Sequence, residues 1–204
     1  MKRSAANTLF TATGLAAEGI TGMEIVTKRL LLREFTEGDL PALIAYQADP
    51  RYAEFWPDAT PTDHARELFH MFRRWVDECP RHNYQLAVAR IRTPHELIGC
   101  CGLRGQGMDA GMAEFGIELA PRWWGHGFAT EAARAILGFG FRELGLRDVR
   151  GVSVTENAGV TNVVSRLGFT LLGRRPGPAW MSDRGWSQTE WRLTREQWEA
   201  TEAA

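Results

Sequence analysis

The chain has 204 residues, of which 44% are hydrophobic and 24% charged, and its formal net charge is −1. This length suits one well-buried domain, the near-zero charge argues against nucleic acid as a partner, and no apolar run reaches the roughly 18 residues that a membrane span needs. The three cysteines, Cys79 and the adjacent Cys100 and Cys101, suit neither a disulfide framework nor a metal site, which predicts free thiols in a reducing cytoplasm and no bound metal.

The first residues differ in character from the rest of the chain. Lys2 and Arg3 precede an apolar stretch that polar residues interrupt, and this interruption argues against a secretory signal peptide. We therefore expect residues 1–22 to be an N-terminal extension and residues 23–204 to form one domain.

The first half of this domain predicts a strand, two helices and three further strands. The β-branched and leucine residues of 24–35 favour a strand. A short helix is predicted over 36–48, with Thr36 suited to its N-cap. An aromatic and proline-rich loop at 51–61 leads to a second helix over 62–78, which has one apolar face. Alternating apolar residues then predict strands over 84–91, 96–103 and 114–119.

The second half alternates helices with strands. A helix follows Gly127 and runs to about residue 144, and a strand is predicted over 149–155. Another helix covers 158–167, and late strands are predicted over 169–172 and 187–193. Consecutive strands followed by alternating helices and strands predict a single α/β (α+β) domain with a mixed sheet.

A glycine-containing loop follows the strand at 114–119. Arg122, Gly125 and Gly127 stand at R-x-x-G-x-G spacing and precede a run of good helix formers. The first N–H groups of a helix lack internal partners and carry partial positive charge, and glycine lets the backbone approach a phosphate closely. The pattern predicts a phosphorylated ligand, although it matches neither a Walker loop nor a dinucleotide fingerprint.

A second segment, residues 156–169, begins where a predicted strand ends and closes with L-G-F. Asn157 suits the N-cap of the helix within it. Together with the glycine loop, this segment resembles the GNAT N-acetyltransferase superfamily. Three further segments resemble its RimJ/RimL-type branch of ribosomal-protein N-terminal acetyltransferases: T-K-R-L-L-L-R at 27–33 with Phe35 and Asp39, W-G-H-G-F-A-T-E-A at 124–132, and T-E-W-R-L-T at 189–194. The resemblance covers residues 24–198.

The resemblance implies a mostly antiparallel sheet of six or seven strands, flanked by helices and splayed at the cofactor strand. It implies acetyl-CoA as donor and CoA as product, and homodimers are common among the relatives. It implies that the backbone of Ile117, Glu118 and Leu119 pairs with the pantetheine arm. The pyrophosphate would be held by Arg122 and by the loop residues Trp124, Gly125, His126, Gly127, Phe128 and Ala129. Asn157 and Asn162 would bond the cofactor arm.

Two strand carboxylates are candidates for the catalytic base. Alternation puts Glu114 and Glu118 on one face of their strand, and each has the alternative of simply pairing with a neighbouring arginine. For the acid, relatives often carry serine or tyrosine where this chain has Val160 and Val164. Ser165 or water remains as the proton donor, and this departure motivates the alternative of a protein that binds acyl-CoA with weak catalysis.

The resulting hypothesis is acetyl transfer to a primary amine by direct attack in a ternary complex. A lysine amine costs roughly 4–5 kcal/mol to deprotonate at neutral pH, whereas a chain N-terminus costs only about 1 kcal/mol. The resemblance to the RimJ/RimL-type branch implies a protein N-terminal amine as acceptor, and a base acting through water suffices more readily for such an amine. Two alternatives stay open: a small amine, amino acid or antibiotic as acceptor, and an acyl-CoA-binding regulatory module with weak catalysis. Tyr52, Phe55 and Trp56 are expected either to wall the acceptor pocket or to pack in the core.

Overall fold

One mixed β-sheet runs through the part of the chain that this computed structural model describes, residues 9–11, 22–57 and 61–203. Its strands in sheet order are β1 (Leu9–Thr11), β2 (Glu24–Val26), β3 (Leu30–Arg33), β4 (Asn83–Arg90), β5 (Thr93–Arg104), β6 (Met112–Leu119), β7 (Asp148–Val154), β9 (Ser187–Thr194) and β8 (Thr170–Pro176). Neighbouring strands are antiparallel except β6 and β7, which are parallel.

Helices cover both faces of this sheet. They are α1 (Leu40–Gln47), α2 (Pro50–Ala53), α3 (Pro61–Val76), α4 (Phe128–Arg142), α5 (Ala158–Arg166), α6 (Ala179–Ser182) and α7 (Arg195–Ala203). Leu86 and Val88 of β4 pack in a core cluster with α4, α5 and α7, whereas Ala87 between them packs in a second cluster with α1 and α3. Alternate side chains of β4 therefore pack into two separate hydrophobic cores, one on each face of the sheet. Among the described helices, none is both long enough and apolar enough to cross a bilayer.

The predicted α+β class, with one mixed and mostly antiparallel sheet flanked by helices, is confirmed. The described residues form nine strands rather than six or seven. One reason is that the strand expected over 24–35 is a hairpin, because the Thr27 N–H bonds the Leu30 carbonyl at 2.9 Å and reverses the chain. Another is β1, which lies inside the segment 1–22 that we expected to be an extension.

Three helices were missed by the sequence reasoning. The short α2 lies in the stretch predicted as a loop, and α6 and α7 were not anticipated. The start of α7 carries a recognisable signal, because Thr194 and Gln197 form a reciprocal capping box. The Thr194 N–H donates to Gln197 Oε1 at 2.8 Å, and the Gln197 N–H donates to Thr194 Oγ1 at 3.3 Å.

A buried ion pair fixes the start of α1 against β3. The Arg33 guanidinium donates to both oxygens of Asp39, at 2.7 and 2.8 Å, and each side chain is only 1% exposed. Asp39 also accepts the Thr36 N–H at 2.7 Å, so Thr36 is held by this carboxylate at the N-cap of a 3-10 helix, Glu37–Asp39, that precedes α1. The far end of α1 is thereby directed toward β6.

The sheet splits between β6 and β7, as expected for a splayed cofactor strand. The two strands pair only where Met112, Ala113 and Glu114 meet Asp148, Val149 and Arg150. Beyond Glu114, β6 remains paired with β5, while β7 continues against β9 alone. One backbone edge of residues 115–119 is therefore left without a strand partner among the described residues.

Candidate active site

A cavity of about 360 Å³ lies at this split. Its floor is the strand segment 114–118. On one face of the sheet α3 contributes side chains to the wall, and on the other face Val160 and Val164 of α5 do so. Side chains from both faces of the sheet therefore line the cavity at the point where β6 leaves its parallel neighbour.

The loop between β6 and α4 has the geometry of an anion site. Gly125 and Gly127 have φ of +78° and +77°, in the left-handed region that favours glycine. Among the described residues, the backbone N–H groups from Gly125 to Ala129 have no acceptor. They cluster at the N-terminus of α4, where the helix dipole adds positive potential. The Phe128 side chain is buried beneath this loop, while His126 is exposed.

Along the open edge of β6, the backbone N–H and C=O groups of every second residue point away from β5. The antiparallel ladder with β5 directs the Glu118 backbone into the sheet, and a side chain at Gly99 of β5 would collide with the Glu118 carbonyl oxygen. The backbone groups of Phe115, Ile117 and Leu119 thus face the open side. The Leu119 carbonyl there already accepts the indole N–H of Trp124 at 2.8 Å. Of the three expected backbone contacts, Ile117 is fully available, Leu119 offers its N–H, and Glu118 faces the other way.

Two arginines lie near the glycine loop, and only one of them was anticipated. The Arg122 side chain is 61% exposed and pairs with Glu96 at 3.0 Å. Arg29, from the β2–β3 turn, donates to the His126 carbonyl at 3.0 Å and pairs with Glu131 of α4 at 2.6 Å. Arg29 was part of the motif used to assign the branch, but its place at the loop depends on contacts about a hundred residues apart and has no local signal.

Glu131 anchors this arrangement. It accepts hydrogen bonds from the Thr27 hydroxyl at 2.7 Å and from the Arg29 N–H at 2.9 Å. Partial burial raises the pKa of Glu131, but the bonds from Thr27 and Arg29 outweigh it and lower the pKa. The carboxylate therefore stays charged and ties the β2–β3 turn to the first turn of α4.

Glu118 is enclosed by hydrogen-bond donors. Its Oε1 accepts from the Tyr46 hydroxyl at 2.8 Å, the Cys100 thiol at 3.0 Å and the Gln47 amide at 3.3 Å, and its Oε2 accepts from the Tyr52 hydroxyl. Burial, reinforced by nearby acidic groups that include the Glu118 charge, raises the pKa of Tyr46, Tyr52 and Cys100. These groups stay protonated and keep donating, so Glu118 joins α1, α2 and β5 to β6.

Glu114 lies in a more open setting on the same strand face. Its side chain is 49% exposed and pairs with Arg104 at 2.8 Å. Arg104 also donates to Gln85 at 3.2 Å, and Gln85 donates to the Cys100 thiol sulfur at 3.1 Å. A continuous polar chain thus links the two candidate bases, with Glu114 at its accessible end and Glu118 at its buried end.

The wall formed by α5 carries no proton donor at the cavity. Asn157 is the N-cap of α5, as predicted, and its Oδ1 accepts the Val160 N–H at 3.1 Å. Val160 and Val164 line the cavity, whereas Ser165 and Asn162 are exposed and lie outside the lining. Within the described ranges, no group of histidine, cysteine and acidic residues is placed to hold a metal ion.

The aromatic residues of the segment 51–61 divide between the two expected roles, which were to wall the acceptor pocket and to pack in the core. Tyr52 is buried and bonded to Glu118, while Trp56 is 41% exposed, stacks on Tyr52 at 5.9 Å and lines the cavity. Phe55 stacks on Trp186 at 5.9 Å, outside the lining. Sequence reasoning missed the contribution of α3, and it missed Tyr46, Gln47 and Arg104, because these contacts join distant parts of the chain.

Comparisons with known proteins agree with this geometry. A family model described as an acetyltransferase (GNAT) domain matches residues 29–170. The chain is 29% identical over 151 residues to the uncharacterized N-acetyltransferase p20 of Bacillus licheniformis, across 73% of this chain and 83% of that protein. Two solved structures from Vibrio cholerae share the fold. Spermidine N-acetyltransferase in complex with CoA and spermine has a TM-score of 0.69 at 21% identity, covering 83% of this chain and 97% of that one. A candidate ribosomal-protein-serine acetyltransferase has a TM-score of 0.67 at 23% identity, covering 84% and 97%.

Proposed function

The chain belongs to the GNAT family of acetyl-CoA-dependent N-acetyltransferases, and on that premise we propose that its acceptor is the primary amine of a protein N-terminus. The observation that carries the proposal is the cavity at the split between β6 and β7. There an open backbone edge, a glycine loop with unpartnered N–H groups and the accessible carboxylate of Glu114 converge. Relationship to the RimJ/RimL-type branch, supported by the motif at 27–33 and by one structural neighbour, favours this acceptor.

The residues present fit acetyl-CoA. The N–H groups from Gly125 to Ala129 would hold its pyrophosphate, with Arg29 and Arg122 adding positive charge nearby. The open backbone edge at Ile117 would take the amide-bearing arm in the manner of an added strand. His126 and Phe128 contribute through their backbone N–H groups, whereas the N–H of Trp124, also expected at the pyrophosphate, already donates to the Pro121 carbonyl at 3.2 Å. When bound, acetyl-CoA supplies an acetyl group activated as a thioester.

Helix α5 faces the same arm. The Asn157 side chain uses its oxygen for the cap and keeps its amide N–H groups for the cofactor. Asn162 is exposed one turn further along α5, and we propose it as a secondary contact. Neither residue is placed to move a proton, so their role is binding.

Glu114 is the proposed general base. The acceptor amine must be neutral to attack, and for an N-terminal amine deprotonation at pH 7 costs only about 1 kcal/mol. That is within the contribution of a carboxylate acting directly or through one water. Glu118 is the weaker candidate, because both of its oxygens already accept bonds from buried donors. We assign it to positioning the strand rather than to proton transfer.

The remaining steps need little from α5. A backbone N–H on the open edge, such as that of Leu119, can stabilise the negative charge that develops on the carbonyl oxygen. The departing thiolate can take its proton from water, because a thiol has a pKa of about 8.5. Ser165 keeps only a supporting role in the proposal, since it is exposed outside the lining.

The proposal is tested by free-thiol release from acetyl-CoA with a panel of N-terminal peptides and small amines, alongside thermal unfolding with acetyl-CoA. We expect a stabilising shift with acetyl-CoA and thiol release with peptides. Turnover confined to small amines would move the acceptor to that class. A thermal shift without release from any amine would instead favour the acyl-CoA-binding module that Val160 and Val164 motivated.

A further inference from the structure

The acceptor side of the cavity is an apolar wall. Leu68, Met71 and Trp75 of α3 are half-buried although they lie on the helix face that packs on the sheet. Trp56 joins them from the segment after α2 and is 41% exposed. An apolar side chain that borders an open cavity makes fewer packing contacts than one in the core. A ligand with apolar surface would supply the missing contacts.

The charged residues of the lining are already engaged with other protein groups. Among the described residues that line the cavity, the charged ones are Arg104, Glu114 and Glu118. Arg104 and Glu114 pair with each other, and Glu118 is enclosed by hydrogen-bond donors such as Tyr46. The lining therefore offers no unpaired carboxylate to receive a second cationic group of the acceptor.

These two observations bear on polyamines, which carry several ammonium groups. Once one nitrogen is placed near Glu114, a distal ammonium would have to lose water against the apolar wall. A cation–π contact with Trp56 or Trp75 offsets only part of that desolvation. An acceptor whose amine is attached to an apolar body meets no such cost and gains by burying its surface.

We propose that this enzyme prefers acceptors in which a primary amine stands next to a bulky apolar group. The shared chemistry is that of an arylalkyl amine or of a peptide that begins with an aromatic or large aliphatic residue. The inference rests on the proposed acetyl transfer and specifies the acceptor within it. The cavity volume of about 360 Å³ lies at the low end of ligand sites, and it includes the space along Ile117 that the cofactor arm would take, so the acceptor can bring no more than one such group.

The test compares matched acceptors as kcat/KM by free-thiol release. One arm uses two peptides that differ only in their first residue, phenylalanine or serine. The other arm uses phenethylamine and spermidine, with each rate divided by the fraction of neutral primary amine at the assay pH. We expect ratios of tenfold or more in favour of the apolar acceptor, equivalent to about 1.4 kcal/mol. A smaller or reversed ratio in both arms overturns the inference.

The arms also identify the source of the amine. A tenfold preference in the peptide arm supports the inference for N-terminal acceptors, and one in the amine arm alone supports it for small amines. Turnover with the opposite preference leaves the proposed acetyl transfer intact and removes only this inference. No release with any of the four acceptors overturns both.

Variants of the wall give an independent readout. Leu68→Glu places an unpaired carboxylate on α3, and we expect it to raise kcat/KM for spermidine relative to phenethylamine by tenfold or more. Trp56→Ala should raise KM for the apolar acceptor more than it lowers kcat. Trp180→Ala, a tryptophan outside the cavity lining, is the matched control and should leave the ratios unchanged. Thermal unfolding and acetyl-CoA binding verify that each variant folds. An unchanged spermidine ratio in folded Leu68→Glu overturns the inference.

Discussion

Arg104 holds Glu114 in an ion pair of 2.8 Å at the mouth of the cavity, with about half of the Glu114 side chain exposed. The pair crosses from β5 to β6, where Arg104 and Glu114 are direct register partners. The carboxylate is therefore fixed in position without being enclosed, which suits a group that must meet a substrate or a water molecule.

Replacing Glu114 by Gln should lower kcat by about 10²-fold or more, because the amide keeps the shape of the side chain but cannot accept a proton. The dissociation constant for acetyl-CoA should stay within about twofold of the wild-type value, since the proposed cofactor contacts lie on the loop and the open edge. Glu190→Gln is the matched control: Glu190 also pairs on a strand with an arginine, Arg175 at 2.6 Å, but does not line the cavity. Turnover unchanged in Glu114→Gln would remove this residue as the base.

Loss of the Glu118 carboxylate should destabilise the protein more than loss of one donor to it. Glu118→Ala leaves Tyr46, Tyr52 and Cys100 without their acceptor, and each unsatisfied buried polar group costs about 1–3 kcal/mol. Tyr46→Phe removes a single bond to a charged group, worth about 1.5–3 kcal/mol. Urea unfolding monitored by tryptophan fluorescence measures both. Equal free energies of unfolding for the two variants would contradict the role of Glu118 as a shared anchor.

Gly127→Ala should weaken acetyl-CoA binding. A non-glycine residue at φ +77° costs roughly 1–2 kcal/mol, and relaxing that strain would displace N–H groups of the loop. Gly107→Ala is a close control, because Gly107 has the same φ of +77° and nothing within 4 Å of an added Cβ, but it lies in the turn between β5 and β6. We expect both variants to lose similar stability and only Gly127→Ala to lose affinity, as measured by isothermal titration calorimetry. Equal affinities in the two variants would refute the anion-site assignment.

Stability should fall as pH rises above about 8.5, the pKa of a thiol in the unfolded chain. Burial raises the pKa of Cys100 and Cys101 in the folded protein, so these thiols keep protons that the unfolded chain releases. Their contribution is complete below the unfolded pKa and is lost progressively as pH rises toward the folded values, by about 1.4 kcal/mol per pH unit for each thiol.

Cys101→Ala isolates this effect, because burial alone raises the pKa of Cys101. Between about pH 9 and 10, the fall of the unfolding free energy with rising pH should be shallower by about 1.4 kcal/mol per unit in this variant than in the wild type. The exposed Cys79, changed to Ala, should leave the slope as it is. An unaltered slope in Cys101→Ala would show that the thiol ionises equally in both states.

Local patterns were sufficient to predict most of the framework. Alternation located β4 to β7 within one or two residues at most ends, and the R-x-x-G-x-G spacing located the loop whose two glycines adopt positive φ. The cap at Asn157 was likewise predicted from its position after a strand. In each case the determining interaction joins residues close in sequence, so the pattern is visible in the chain itself.

The environment of the candidate bases could not be predicted in the same way. Glu118 and Glu114 are equivalent by alternation, and only the fold brings Tyr46 and Tyr52, 72 and 66 residues away, onto Glu118. The backbone direction of Glu118 also depends on the hydrogen-bond register with β5, which alternation leaves open. Distinguishing an accessible carboxylate from an enclosed one required these long-range contacts.

The short pairing between β6 and β7 divides the sheet into two blocks of strands, β1 to β6 and β7 to β9. Within the sheet, only three register pairs join β6, the last strand of the block β1 to β6, to β7, the first strand of the block β7 to β9. The gap beyond these pairs is lined by α3 on one face of the sheet and by α5 on the other. The proposed acceptor, on the α3 side, and the proposed cofactor arm, on the α5 side, would therefore occupy the gap together, as the direct attack expected from the sequence requires.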